Sequence, residues 1–369
     1  MMNQGGMLVA APERWDEACF AVPALRAMVA SGLGVGVLCA GEQREFWETI
    51  DGLAVVPFPP KARSKAVAAE IRGNWQASLA WNAGFAAEVF KIAGIPRRLG
   101  QEERKLKKLL THPLAFTIGP LEHRVRYYLA AAEELGIGTA KPEFFAPASL
   151  GIEPAAGAVL LCPGSDFGPS HEWPIERWVE IAKKLIENGC RITVASVDGG
   201  RGLAKVLAEN LGKSAEFFHA APLAGALPVL AVHGLVIAAD GSLPHLAAHA
   251  GATCVTLFGP NDPAWKRPLG KRHAIARRHV ECAPCLLPKC PLDMRCQREL
   301  EVGRLRDHAG THRVQIDVDH ASQKIALTLN QIAAVAPFPQ SAGALMPQVE
   351  VAHIGPAHRL HHLRQALVG

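Results

Sequence analysis

The sequence predicts an α/β protein of two facing Rossmann-like domains, each a parallel sheet covered by helices, with a cleft between them. Three observations carry the prediction. Short β-rich runs alternate with helical patterns; the alternation breaks at a Pro/Gly/Ala-rich stretch (141–157) and then restarts; and 369 residues suit about two cores of ordinary size. Strands separated by helices pair in parallel, and such sheets bind ligands beyond the carboxyl ends of their strands. The loops that matter are therefore those after residues 11, 163, 239 and 259.

Taken in order, MLVAAP (7–12) reads as a buried strand and 17–30 as a helix stopped by Gly32. GVGVLCA (34–40) and LAVVPF (53–58) read as strands. A helix at 84–93 leads through IPRRLG back to the sheet, and a helix at 121–135 is closed by Gly136. The stretch 141–157 is the linker, so the first domain spans 1–150 and the second 151–301. In the second, AVLLCPG (158–164) is a strand entering a glycine loop, and Pro174 opens a helix at 175–187. Trp178, Ala182, Leu185 and Ile186 share one face of that helix. RITVASV (191–197), LVIAAD (235–240) and CVTLFG (254–259) are further strands. From 302 to 369 the pattern weakens into an extension, partly helical (325–335 and 357–368), that packs back on the first domain. It holds seven of the 16 histidines.

Composition excludes several classes. With 49% hydrophobic and 20% charged residues the chain is not disordered. A net charge of +5 is too weak to argue for nucleic acid, and only two Tyr among 6% aromatics leave no stacking platform for single strands. The N-terminus lacks the basic and apolar regions of a signal peptide. The most apolar stretch, 223–239, contains Pro228, His233 and Gly234 and divides into a short helix and a strand rather than a membrane span. A soluble, cytoplasmic protein is expected.

Four loops hold unusual residues. PGSDFGPSHEWP (163–174) is a glycine-rich turn between strand and helix, where backbone N–H groups and the helix dipole favour an anion; Gly164 and Gly168 allow close approach and His171 adds a donor. The other reading is an ordinary strand-to-helix turn. In ADGSLPHLAAHAGA (239–252), Asp240 ends a strand and His245 lies one turn into a helix, as cap and core imidazole or as ligand contacts. Asp16 and Glu17 stand where the first strand turns into its helix, either compensating the dipole or supplying a general base. FGPNDPAWKRPLG (258–270) brings Lys266 and Arg267 to the cleft edge or to a plain surface loop.

The order of these elements resembles that of the ADP-heptose:lipopolysaccharide heptosyltransferases, glycosyltransferase family 9. The matching stretches are DEACFAVPALR (16–26), PGSDFGPSHEWPIERW (163–178), ADGSLPHLAA (239–248), LFGPNDPAWKRPLG (257–270) and CAPCLLPKCP (282–291). The resemblance implies a GT-B fold, acceptor side N-terminal and nucleotide-sugar side C-terminal. It implies inverting transfer from an ADP-heptose donor to a lipid-linked oligosaccharide, the lipopolysaccharide inner core. It also implies no cofactor for transfer, no nucleic acid, and peripheral contact with the inner face of the inner membrane. Glu17, Asp16 and His171 form the implied catalytic set; Gly164, Ser165, Gly168, Asp240, Gly241, Ser242 and His245 the donor-binding set. The diphosphate is expected on the backbone of 164–170. Three departures stand out: Glu17 falls where the family has Asp, His171 where it has Lys, and Ala239-Asp240-Gly241-Ser242 where it has Asn-Asp-Ser-Gly. They motivate two further readings, a nucleotide-sugar-binding scaffold or regulator and a transferase of another nucleotide sugar.

Of nine cysteines, Cys19, Cys39, Cys162, Cys190 and Cys254 sit among apolar neighbours and read as core. Cys282, Cys285, Cys290 and Cys296 are bunched, a pattern open to structural zinc, an iron–sulfur cluster, or reduced thiols.

Overall fold

The computed structural model describes residues 6–197, 202–301 and 315–317. In the first half, apolar runs bounded by turns form β1 (Met7–Ala10), β2 (Val35–Ala40), β3 (Ala54–Phe58), β4 (Ala77–Leu79), β5 (Arg97–Gln101) and β6 (His112–Leu114). They pair in parallel in the order β3-β2-β1-β4-β5-β6. Helices α1 (Trp15–Ala30), α2 (Arg44–Trp47), α3 (Ser64–Ile71), α4 (Phe85–Ile92) and α5 (Val125–Glu134) accompany them. All four residues of β1 are buried, as a central strand covered on both faces requires. Gly36 in β2 is a packing requirement: a Cβ there would lie 2.3 Å from the Trp75 ring.

The second half holds β7 (Ala155–Cys162), β8 (Arg191–Ser196), β9 (Ala215–His219), β10 (His233–Ala239), β11 (Thr253–Phe258), β12 (Ala274–Arg277) and β13 (Gln315–Asp317), parallel in the order β13-β12-β11-β10-β7-β8-β9. Its helices are α6 (Ile175–Glu187), α7 (Leu203–Leu211), α8 (Leu227–Val232), α9 (Ser242–His249), α10 (Pro263–Lys266) and α11 (Arg295–Arg298). α6 has the expected bounds, because Pro174 immediately precedes it and Trp178, Ala182 and Leu185 bury a single stripe. The apolar stretch 223–239 divides into α8 and β10, and among the described residues no helix is long and apolar enough to cross a membrane.

Alternation along β7 divides the second domain's core. Val159 and Leu161 join Trp173, Trp178 and Leu185 on one face. Leu160 and Cys162 turn to the other face, into a core that runs through Leu243 and Leu246 of α9 to Phe20 and Leu25 of α1 and on into the first sheet. The two domains therefore share apolar packing where α1 meets α9. Cys19, Cys39, Cys162 and Cys254 are buried and Cys190 half-buried, as core cysteines should be.

Several expectations are corrected. α1 starts at Trp15, so Asp16 and Glu17 lie inside its first turn. α5 starts at Val125 rather than 121, because the Glu122 carboxylate accepts from Gly119 N–H (3.0 Å) and holds a turn there. The linker is docked: Phe144 is buried, Arg26 donates to the Phe144 and Ala146 carbonyls, and Ala148 N–H donates to His249 O (2.7 Å). β13 pairs with β12 inside the stretch expected as an extension, so the second sheet reaches beyond 301. The helices expected at 325–335 and 357–368, the tail's packing and its seven histidines lie outside the described residues.

Candidate active site

The carboxyl ends of the two sheets face a cleft of about 700 Å³. Glu13, Arg14, Trp15 and Arg124 line it from the first domain; Asp166, Phe167, His171, Ser242, Asn261 and Lys266 are on the opposite wall. The turn after β1 into α1 delivers Glu13, Arg14 and Trp15, and the segment between β6 and α5 delivers Arg124; the loop after β7 delivers 166–171, the start of α9 Ser242, and the loop after β11 with α10 Asn261 and Lys266.

Asp16 and Glu17 are adjacent in α1 but differ in surroundings. Asp16 is fully buried; Arg14 grips it twice (Nε 3.0 Å, Nη2 2.9 Å) and Lys266 reaches it across the cleft at 2.9 Å. Burial raises its pKa, but the Arg14 hydrogen bonds and the Lys266 charge outweigh this and hold the carboxyl at about 2. It is a fixed anion joining the domains. Glu17 is 15% exposed at its side chain, with Arg124 Nε on Oε1 (3.1 Å), Arg124 Nη2 on Oε2 (3.3 Å) and Tyr128 Oη donating to Oε2 (2.8 Å). Lys266 Nζ stands 3.9 Å from Oε1. The carboxylate is oriented from behind and keeps acceptor capacity on Oε1.

His171 closes the short turn Pro169–His171 and is 2% exposed. Its Nδ1 lies 3.1 Å from Asp240 Oδ2, which also accepts from Asn261 Nδ2 (2.7 Å). Asp240 is fully buried and its Oδ1 has no partner. Burial pushes this carboxyl up, against the stabilising contacts of His171 and Asn261. Asp240 is thus not the cap of α9. That role falls to Asp166, whose Oδ1 accepts from Ser242 N–H (2.8 Å) and Oδ2 from Ser242 Oγ (2.6 Å). The cap comes from a different loop, so spacing within 239–252 gave no sign of it.

The glycine loop is closed on itself. Ser165 N–H donates to Glu172 Oε1, Phe167 N–H to Ser165 Oγ, Ser170 N–H to Pro288 O and His171 N–H to Gly168 O. Ser165 Oγ donates to Asp240 O (2.6 Å) and so ties the loop to the end of β10. Gly168 has φ +117°, and a Cβ there would lie 2.4 Å from Pro288 O. Gly241 is extended, with Asp166 Oδ1 where its Cβ would be (2.8 Å); Gly164 has no comparably close neighbour, at 3.8 Å. These glycines serve loop-to-loop packing, and much of the backbone expected to cradle a diphosphate is hydrogen-bonded within the protein.

His245 does not line this cleft. It lies edge-on to Phe20 (centroids 5.0 Å apart) beside a small cavity of about 30 Å³ under α1, with both ring nitrogens unpartnered, and burial pushes its pKa down to about 3. Of the bunched cysteines, Cys282 is exposed, Cys285 and Cys290 half-buried and Cys296 buried. Burial and the three neighbouring thiols raise Cys296 to about 11, so the four are near one another. Among the described residues, however, no three His, Cys, Asp or Glu side chains are gathered as metal ligands.

Arg14, Arg124, Tyr128, Asp166 and Asn261 were not singled out by sequence. Arg124 and Tyr128 meet Glu17 from 107 and 111 residues away, and nothing local marks them. Asp166 had a signal, since it sits in the glycine loop.

A model of glycosyltransferase family 9 (heptosyltransferase) matches residues 85–295. Lipopolysaccharide heptosyltransferase 2 of Escherichia coli (strain K12) is 29% identical over 122 residues, 32% of this chain and 35% of the relative, so the match spans about a third of that protein's length. The structure of E. coli ADP-heptose lps heptosyltransferase II superposes with a TM-score of 0.68 at 17% identity, over 89% of this chain and 98% of that one. E. coli heptosyltransferase WaaC with ADP gives 0.61 at 20% identity, over 73% and 92%. The architecture is GT-B.

Proposed function

Because the chain belongs to glycosyltransferase family 9, we propose that its cleft moves a heptose from ADP-heptose to the inner core of lipopolysaccharide, or to a related glycan, with inversion at the anomeric carbon. The observation that supports this best is the meeting of unlike groups across one cleft. The cations Arg124 and Lys266 line the cleft together with His171, and Glu17 on α1 is held against both of them (3.1 Å from Arg124 Nε and 3.9 Å from Lys266 Nζ).

In this reading the acceptor hydroxyl approaches from the α1 side and passes its proton to Glu17 Oε1 as its oxygen attacks the anomeric carbon. The bond from that carbon to the diphosphate breaks on the opposite face. Arg124 and Tyr128 hold the base in place. His171 and Lys266 offset the charge developing on the departing diphosphate, an electrostatic role that needs preorganised groups in a poorly hydrated site. These protein groups supply the charge, and a metal is not needed. Exposed Lys61, Arg63 and Lys65 after β3 and Arg104, Lys105 and Lys108 after β5 follow carboxyl strand ends; they suit an anionic lipid-linked acceptor and peripheral contact with a cytoplasmic membrane face. Replacing Glu17 by Gln keeps the shape and removes the base, so kcat should fall about 10²–10⁴-fold while ADP affinity stays within about three-fold. Full transfer by E17Q would remove Glu17 from the role.

The Glu17–Arg124 pair also fits the second reading, a nucleotide-sugar-binding protein without turnover. Binding of ADP-heptose without transfer by the unaltered protein would favour it. Thermal-shift screening of ADP-, GDP- and UDP-sugars tests the choice of donor.

A further inference from the structure

Two cations, Arg14 and Lys266, serve the one buried carboxylate of Asp16, so the charge of Arg14 is not needed for neutralisation alone. A guanidinium carries five N–H donors in a flat fork. Asp16 takes two of them, from Nε (3.0 Å) and Nη2 (2.9 Å). The other three, both on Nη1 and the second on Nη2, remain along the outer part of the fork, and none has an acceptor among the described residues. The side chain lines the cleft and is 55% exposed.

Arg14 is nevertheless held in place. Asp16 is fully buried in the first turn of α1, and Arg14 Cζ lies over the Phe167 ring, 4.6 Å from its centre. A guanidinium anchored along one edge and stacked on its face loses little freedom when an anion meets its other edge, and its planar fork matches a carboxylate or a phosphate. Neighbouring acids are placed elsewhere. Asp166 gives both oxygens to Ser242, Arg124 and Tyr128 hold Glu17, and the Glu13 carboxylate lies beside Gly84. Arg14 directly precedes α1 and stands three residues before Glu17, in the domain that carries the base. It meets the loop after β7 through the apolar Phe167 ring rather than through a polar group.

We propose that Arg14 is a specificity-determining residue, binding an acidic substituent, carboxylate or phosphate, on the acceptor sugar whose hydroxyl approaches Glu17. The assignment rests on the transfer reading above and deepens it by naming the side chain that reads the acceptor.

The test is the initial rate of transfer from ADP-heptose to de-O-acylated lipopolysaccharide lacking core heptose. The acceptor is used intact, after carboxyl reduction and after phosphatase treatment. R14K keeps a cation beside Asp16 but loses the fork. With the intact acceptor its KM should rise at least about ten-fold, with kcat within about three-fold and calorimetric ADP affinity within about two-fold of the unaltered protein. R14Q, the second variant should R14K unfold early in urea, should show the same split. One of the two treatments should raise the acceptor KM of the unaltered protein and abolish its difference from R14K, which identifies the acidic group. An unchanged acceptor KM in both variants, a difference that survives both treatments, or a loss that falls on ADP affinity instead overturns the role of Arg14 and leaves the transfer reading standing. Absence of transfer by the unaltered protein to any of the three acceptors overturns both.

Discussion

Replacing Lys266 by Met removes the ion pair that joins the two walls of the cleft, and the structure sets its cost. Asp16 is held at about 2 against an ordinary 3.8, despite full burial of its side chain. At about 1.4 kcal/mol per decade, its partners supply roughly 2 kcal/mol of net stabilisation. Arg14 makes two of the three contacts but is 55% exposed and therefore screened; Lys266 makes one and is 16% exposed. About half the effect, roughly 1 kcal/mol, is assigned to Lys266. The control is Arg44→Met, which breaks a solvent-exposed pair with Glu48 four residues on and should leave the unfolding midpoint nearly unchanged. Urea unfolding at pH 7, followed by tryptophan fluorescence, measures both. The pH dependence has a definite sign. A carboxylate with a depressed pKa contributes fully above its unfolded value and loses that contribution as pH falls toward the folded one. The gap between the unaltered protein and K266M should thus be flat from about pH 8 to 5 and narrow below about pH 4. Equal midpoints for K266M and the unaltered protein, within the control's effect, would refute the assignment.

Gly168→Ala must give up both a φ of +117° and the close approach to Pro288 O; it should cost about 1–3 kcal/mol in denaturant unfolding and weaken ADP binding at least ten-fold by calorimetry. Elemental analysis of protein purified without chelator decides whether the four clustered thiols hold zinc or iron, and less than about 0.2 equivalents would exclude a constitutive site. A stoichiometric metal would show that Cys282, Cys285, Cys290 and Cys296 rearrange around it.

Most of the fold was legible because each long strand is a continuous apolar run and each main helix has a punctuation mark: Gly32 after α1, Gly136 after α5, Pro174 before α6. The strands left out were those with little to read. β4, β6 and β13 are three residues each and β12 is four, and β9 is an edge strand with no buried residue to set a pattern. The site was legible as loops but not as contacts. Asp16 and Glu17 could be flagged by type and place, yet their different surroundings depend on Arg14, Lys266, Arg124 and Tyr128, brought together only by the fold. Likewise the Asp240 carboxylate turned out to orient His171, because Asp166 from another loop had already taken the helix end.

The apolar seam between α1 and α9 limits how this enzyme class can move here. Phe20 and Leu25 on one side and Leu243 and Leu246 on the other are at most 1% exposed, so swinging the halves apart would put oil-like surface into water at about 25 cal/mol per Å². Admission of substrate should therefore proceed by α1 sliding along α9, a shear in which side chains change neighbours while staying dry. It follows that either half made alone, cut in the 141–157 segment, would present a sticky face and aggregate rather than fold as a free-standing unit.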